Sequence, residues 1–234
     1  MTPRTQEPLS GPRLWRAAWR VARKDWAVAG RTRDSFTATV FFAGLVLLIL
    51  GFALGPDEGR LRAAAPGILW SALALSSAVA AGRAFGQEQE SGTLERLLGY
   101  PVAHEALYLG KFLGVLAQLG LLALVVVPAT ALIYGLSGPW LLIFLTVLLG
   151  LIGLAASTAF YAAITVNLRA REALLPVLAF PVLVPMVLAG VRATTLLTEG
   201  ALTSEWGAWL SFLALYDAVA VVASALLFPF AVEG

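Results

Sequence analysis

The sequence has no cysteine among its 234 residues, only one histidine and only two lysines. Without cysteine, disulfides, thiolate metal sites and a cysteine nucleophile are excluded. His104 alone cannot form the H-E-x-x-H zinc motif, and no G-x-S-x-G elbow occurs. Lys24 precedes Asp25 and Lys111 precedes Phe112, so neither fits the ATP-binding loop G-x-x-x-x-G-K-[ST]. We therefore expect a non-enzymatic chain that binds no cofactor or metal itself.

Charge is also scarce, since only 13% of the residues are charged and 59% are apolar. Several runs of about twenty residues carry almost no charge, which is the signature of membrane spans. The first apolar run begins near Phe36, too deep and too long for a cleavable signal peptide. The net charge of +2 is small. The basic residues concentrated in the N-terminal segment indicate that it faces a membrane and not nucleic acid. We expect an all-α polytopic membrane protein without a soluble catalytic domain.

Six apolar segments are each long enough to cross about 30 Å of hydrocarbon. They cover residues 36–54, 67–85, 112–134, 140–166, 173–191 and 206–230. Thirteen lysines and arginines fall in the N-terminal segment and in the loops after the second and fourth spans, against three (Arg60, Arg62 and Arg192) on the other side. Because positive loops stay inside, this pattern predicts a membrane protein with both termini and the Glu-rich stretch in the cytoplasm.

The chain divides into three parts by composition and residue pattern. Residues 1–12 carry prolines and few apolar groups, so we expect disorder there. Residues 13–34 show a helical pattern with Trp15, Trp19 and Trp26 on one face and arginines over much of the rest. Such a helix lies in the lipid headgroup layer, although an ordinary soluble amphipathic helix has a similar pattern. Residues 35–234 form the six-span domain.

Two spans carry unusual residues. Asp217 lies about eleven residues into the sixth span, or about 16 Å, close to the bilayer midplane. An ionised carboxylate there costs about 2.5–3.5 kcal/mol, so we expect it to be protonated, paired or facing a polar cavity. Arg192 is the cation that could reach it; a bond to a neighbouring Ser, Thr or Tyr side chain is the alternative. The fifth span contains Pro176, Pro181 and Pro185, which predict a discontinuous or strongly bent helix, followed by a small re-entrant cap at residues 193–205.

A polar, Glu-rich stretch at residues 83–111 interrupts the apolar runs on the predicted cytoplasmic side. Thr93 can cap a short helix over residues 94–98, with Glu95 at the positive end of its dipole. The leucines of that helix share one face, and Pro101 ends it. A short helix of this kind can fit a groove on a cytoplasmic partner, whereas the simpler interpretation is a solvated charged loop.

The same stretch resembles the coupling-helix region of ABC-2-type (type V) exporter permeases, in the pattern E-x-E-x-G-T-L-E-x-L-L, then P-V and G-K at Gly110 and Lys111. The segment N-L-R-A-R-E-A-L-L-P-V-L at residues 167–178 more narrowly resembles the CcmB family of haem-exporter permeases in cytochrome c maturation, as do residues 65–70 and 228–230. The resemblance covers the chain from about Arg23 onward. It implies that the following residues meet the ATPase: Glu88, Glu90, Ser91, Gly92, Thr93, Leu94, Glu95, Arg96 and Leu97.

The resemblance also implies a set of partners. Such permeases pair as dimers with two copies of a CcmA-like ATPase, which binds the ATP. A CcmC-like haem-handling membrane protein, a single-span CcmD-like protein and a CcmE-like haem chaperone belong to the same system, and membrane lipids surround it. Haem is expected on these partners, because His104 is cytoplasmic and Met186 is the only methionine within a span. Two alternatives remain open: an ABC-2 permease for a lipid or other small molecule, and an ion-coupled carrier that uses Asp217.

Overall fold

A computed structural model describes residues 15–23, 33–90, 104–165, 171–201 and 204–232, and all regular structure within these ranges is helical. The helices are α1 (residues 15–23), α2 (Arg33–Leu54), α3 (Glu58–Glu90), α4 (His104–Tyr134), α5 (Trp140–Thr165), α6 (Arg171–Thr198) and α7 (Ser204–Val232).

Helices α2 to α7 each contain a stretch long and apolar enough to cross a membrane, which confirms the predicted six spans. Three helices, α3, α4 and α6, extend well beyond their predicted spans. Helix α3 has 33 residues, or about 50 Å, and so extends beyond the hydrocarbon layer. Its last turns include residues 87–90, which the sequence assigned to a polar loop, and His104 is the first residue of α4 and not a loop residue.

Helices α3 and α5 lie at the centre of the bundle, and α2 and α7 lie at its edge. Lipid is as apolar as a leucine side chain, so close packing and not water exclusion holds such helices together. Helix α5 meets this need with small buried residues along one stretch: Gly150, Gly153, Ala155, Ala156, Ser157, Thr158 and Ala159. Large apolar side chains such as Phe52 and Leu132 instead project outward, where lipid accommodates them.

Trp70 of α3 is the largest fully buried side chain and joins three helices. Its indole lies in a slot between Gly150 of α5 and Gly190 of α6, where a Cβ on either glycine would overlap the ring. The indole Nε1 donates a hydrogen bond to Thr194 Oγ1 at 2.9 Å. Thr194 lies one turn beyond Gly190 on α6, so the two glycines admit the ring and the threonine fixes its orientation.

Helix α6 is continuous from Arg171 to Thr198, so the predicted discontinuity at its three prolines is wrong, and the alternative of a strongly bent helix stays a prediction. Pro181 and Pro185 point away from the bundle, and each removes one backbone donor from the helix. In the turn between them, the Val182 carbonyl accepts a hydrogen bond of 2.6 Å from the Tyr216 hydroxyl of α7. The carbonyls that Pro181 and Pro185 leave without a helical donor belong to Val177 and Pro181, so this bond to Val182 is an additional contact between α6 and α7.

The predicted re-entrant cap after the fifth span is also wrong for the described residues. Residues 193–198 still belong to α6, which ends at Thr198 and is followed by Gly200 with φ of 72°. The Ala201 amide donates to the Leu196 carbonyl at 2.8 Å, the bond that closes a helix ending in a left-handed glycine. Helix α7 begins at Ser204, so only a short connection separates the two spans.

Candidate functional site

The predicted coupling region connects the end of α3 to the start of α4. Glu88 and Glu90 lie in the last turn of α3. The other residues implied to meet an ATPase, 91–97, lie outside the described residues, so their contacts stay a prediction. The structure does describe both helices that flank this segment, and their contacts with each other and with α1 follow.

Lys111 of α4 is 2% exposed and contacts the end of α3. Its Nζ donates a hydrogen bond to the Ala84 carbonyl at 3.2 Å and lies 5.4 Å from the centre of the Phe85 ring. Burying an ammonium group costs several kcal/mol unless hydrogen bonds and favourable electrostatics offset it, and both the carbonyl and the ring face offer negative charge. The buried lysine therefore ties the start of α4 to the end of α3 across the coupling segment.

Gly110, the residue before Lys111, carries α1. Ala18 and Ala22 of α1 are 0% and 1% exposed. A Cβ on Gly110 would lie 2.5 Å from Val21 Cβ and 2.9 Å from the Ala18 carbonyl oxygen, closer than packed atoms come. Only glycine lets the α1 backbone rest directly on α4 at this point.

Helix α1 falls within the predicted amphipathic helix at residues 13–34. Trp15 and Trp19 are 55% and 47% exposed, so their indoles project beyond the face that packs on α4. That arrangement suits a helix in the headgroup layer, which stays a prediction. Trp26 lies outside the described residues.

Tyr108, one turn before Lys111, extends the same contact layer to α5 and α7. Its hydroxyl donates to the Ala156 carbonyl at 3.1 Å, and its ring centre lies 5.5 Å from that of Phe228. No sequence pattern indicated a role for Tyr108, whereas Gly110 and Lys111 belong to the pattern that carried the resemblance. Together these residues bring α1, α3, α5 and α7 onto the first two turns of α4.

Asp217 of α7 is 4% exposed, and neither of its carboxyl oxygens has a hydrogen-bond partner among the described residues. It packs against Gly153 of α5, where a Cβ would overlap Oδ1. The predicted alternative of a bond to a Ser, Thr or Tyr side chain is therefore wrong for the described residues. Tyr216, the neighbouring residue, directs its hydroxyl to α6 and to Ser157 at 3.5 Å.

The prediction that Arg192 reaches down to Asp217 is wrong. Arg192 pairs instead with Glu205 at the start of α7, with Nη2 and Nε at 2.9 and 3.0 Å from Oε1. The short α6–α7 connection places this acid close to the arginine, and both side chains are about half exposed. The Trp209 indole Nε1 donates to the same Oε1 at 3.4 Å.

The described residues form no cluster of three or more acidic or histidine side chains that could hold a metal ion. Met186, the methionine within a span, is 0% exposed in the core of the bundle. Its side chain therefore packs against other residues of the bundle.

The fold and these contacts define a six-span helical membrane protein with a short N-terminal helix docked on Gly110 of α4, the third span. The chain belongs to the CcmB protein family, whose model matches residues 16–234.

Named relatives cover most of the chain. Heme exporter protein B of Paracoccus denitrificans is 34% identical over 173 residues, which are 73% of this chain and 78% of that protein. The protein of the same name from Rhodobacter capsulatus is 31% identical over 178 residues, 76% and 82% of the two chains. That of Haemophilus influenzae is 29% identical over 215 residues, 91% and 93% of the two chains.

Proposed function

We propose that this chain is the membrane permease subunit of an ABC transporter that serves haem export in cytochrome c maturation. The observation that carries the proposal is the family match across residues 16–234, together with relatives named Heme exporter protein B that cover most of the chain. The six spans provide the membrane domain that such a subunit needs. The subunit is not itself a catalyst.

Energy enters the membrane domain from a separate, CcmA-like ATPase, because the sequence has no loop of the Walker A type. The ATPase presses on the coupling region, residues 88–97, from the cytoplasm. The contacts of Lys111 and Gly110 support this role, since they join the start of α4 to the end of α3 and to α1. A push on the segment then moves helices and not only a loop.

The subunit lies in the bacterial cytoplasmic membrane with both termini inside and α1 in the headgroup layer. The counts of lysine and arginine in the loops support this orientation. It pairs as a homodimer with two ATPase subunits and works beside CcmC-like, CcmD-like and CcmE-like proteins. Haem is carried on these partners, and ATP hydrolysis releases the haem-loaded chaperone; the scarcity of histidine and methionine and the absence of cysteine in the sequence support this division of labour.

Affinity purification of the tagged chain from native membranes tests the proposal. The expected result is co-purification of an ATPase and of a haem-binding membrane protein, with haem seen in the absorption spectrum of the complex. An ATPase without any haem protein would point to another exported molecule, such as a lipid. Transport that persists after deletion of the ATPase would contradict the proposal and favour an ion-coupled carrier that uses Asp217.

A further inference from the structure

We propose that Gly110 and Lys111 form a clamp that makes α1, α3 and α4 move as one unit when the coupling region is pushed. The two residues are positioning residues: they touch neither ATP nor haem, and they act by holding three helices in register. This inference rests on the proposed function for its mechanical meaning, but the geometry of the clamp can be measured without any ATPase.

The first half of the clamp is the contact between Lys111 and α3. An ammonium group this deeply buried has no access to water, so its hydrogen bond to the Ala84 carbonyl cannot be exchanged for hydration without opening the helix pair. The Phe85 ring covers the same ammonium group. Separation of α3 from α4 at this level would break this hydrogen bond and the contact with the ring, which makes the pair resist sliding.

The second half is the contact between Gly110 and α1. The missing Cβ brings the Ala18 carbonyl and the Val21 side chain directly onto the α4 backbone. No flexible side chain lies between the two helices at this point to absorb a displacement. Close-packed contacts of this kind transmit movement instead of deforming.

The clamp depends on Gly110 and Lys111 being consecutive residues of α4. Consecutive residues in an α-helix point about 100° apart, so Gly110 and Lys111 face different neighbours from one turn of α4. The coupling segment begins at the end of α3 and returns at the start of α4. Any force on it reaches α3 and α4 together through Lys111 and reaches α1 through Gly110. Tyr108 carries the displacement onward to α5 through the Ala156 carbonyl.

Thiol protection tests the geometry, because the natural chain has no cysteine and one can be introduced without background. Ala22→Cys places a thiol at a position that is 1% exposed, and Arg23→Cys gives an exposed reference. In isolated membranes, a water-soluble maleimide should label Cys at 22 slowly. Adding Gly110→Ala should raise its rate at least tenfold. Gly120→Ala, the matched control on α4 with nothing within 4 Å of the added Cβ, should leave it unchanged. Equal protection in the Gly110→Ala and Gly120→Ala backgrounds would overturn the clamp.

The number of ATP molecules hydrolysed per haem-loaded chaperone released tests the positioning role. A merely structural defect lowers the amount of complex but leaves this ratio unchanged. Lys111→Met keeps the side chain's length without its charge, and both it and Gly110→Ala should raise the ratio at least threefold, with Gly120→Ala at the wild-type value. Wild-type ratios for both variants, in complexes where Glu95→Ala raises the ratio, would overturn the clamp. If Glu95→Ala also leaves the ratio unchanged while the Gly110→Ala thiol is exposed, the proposed function fails and the clamp geometry stands.

Discussion

Replacement of Gly190 by alanine tests whether the Trp70 slot holds the bundle together. The added Cβ would lie 2.5, 2.6 and 2.7 Å from Cε2, Cζ2 and Cδ2 of the indole, all shorter than real contacts. These are atoms of a fixed ring that is 0% exposed, so the ring or the α6 backbone must move. Either movement lengthens the bond from the indole to Thr194, now 2.9 Å.

Two effects set the size of the loss. Forcing one extra methyl group into a packed core costs about 1–3 kcal/mol, and losing one interhelical hydrogen bond in a membrane costs about 0.6 kcal/mol. We therefore expect Gly190→Ala to lower the free energy of unfolding by about 1.5–3.5 kcal/mol. Gly120→Ala should change it by less than about 0.5 kcal/mol, as expected away from special sites, because its Cβ meets nothing within 4 Å.

Reversible unfolding of the purified chain by a denaturing detergent measures these differences. The decisive comparison is a double-mutant cycle with Trp70→Ala, which itself costs about 3–5 kcal/mol for the cavity it leaves. Without the indole, the Gly190→Ala substitution should cost less than about 1 kcal/mol, because the atoms it overlapped are gone. The slot would be refuted if Gly190→Ala matched Gly120→Ala, or if its cost were the same with and without Trp70.

Two further predictions concern Asp217 and Arg192. Gly153→Ala should lower the free energy of unfolding by about 1–3 kcal/mol, since its Cβ would overlap Asp217 Oδ1; adding Asp217→Ala should recover at least half of that loss in the same unfolding assay, and no recovery would contradict the contact. Arg192→Glu should lower the melting temperature slightly by facing Glu205 with a like charge, and the exchanged pair Arg192→Glu with Glu205→Arg should restore it; equal melting temperatures for the single and exchanged variants would contradict the ion pair.

The long apolar runs predicted the number and type of the helices well, because crossing the hydrocarbon layer fixes the length and composition of a span. Helix ends were harder to predict. At Glu90 the polar residues continue α3 instead of forming a loop, since a helix that leaves the membrane satisfies its backbone whether its side chains are polar or apolar. Helix α6 continues beyond residue 191, the predicted end of its span, as far as Thr198, because no residue before Gly200 favours a helix end.

Partners of polar groups could not be predicted from the sequence. The sequence offers Arg192 as the cation that could reach Asp217. In the structure Arg192 pairs with Glu205, because the short connection between α6 and α7 brings Glu205 close to it. The three prolines predicted a discontinuous or strongly bent helix, whereas α6 is continuous and contacts α7 through the Tyr216 hydroxyl. Such contacts depend on which helices are neighbours, and every span in this chain is nearly uniform in its apolar character, so periodicity did not reveal that.

The family resemblance includes the pattern G-K at Gly110 and Lys111, but it does not explain what these two residues do in the structure. The fold supplies the reason: the glycine admits α1, and the buried lysine caps a carbonyl of α3. Neither role is visible in the sequence, because both partners are distant along the chain.

The ATP-to-release ratio of the reconstituted complex tests the central claim most directly, namely that force from a separate ATPase enters through the coupling region. With Glu95→Ala in that region, ATP hydrolysis should continue while release of haem-loaded chaperone falls at least threefold, and Gly120→Ala should behave as wild type. Wild-type release per ATP in the Glu95→Ala complex, with normal insertion of the chain, would contradict the account.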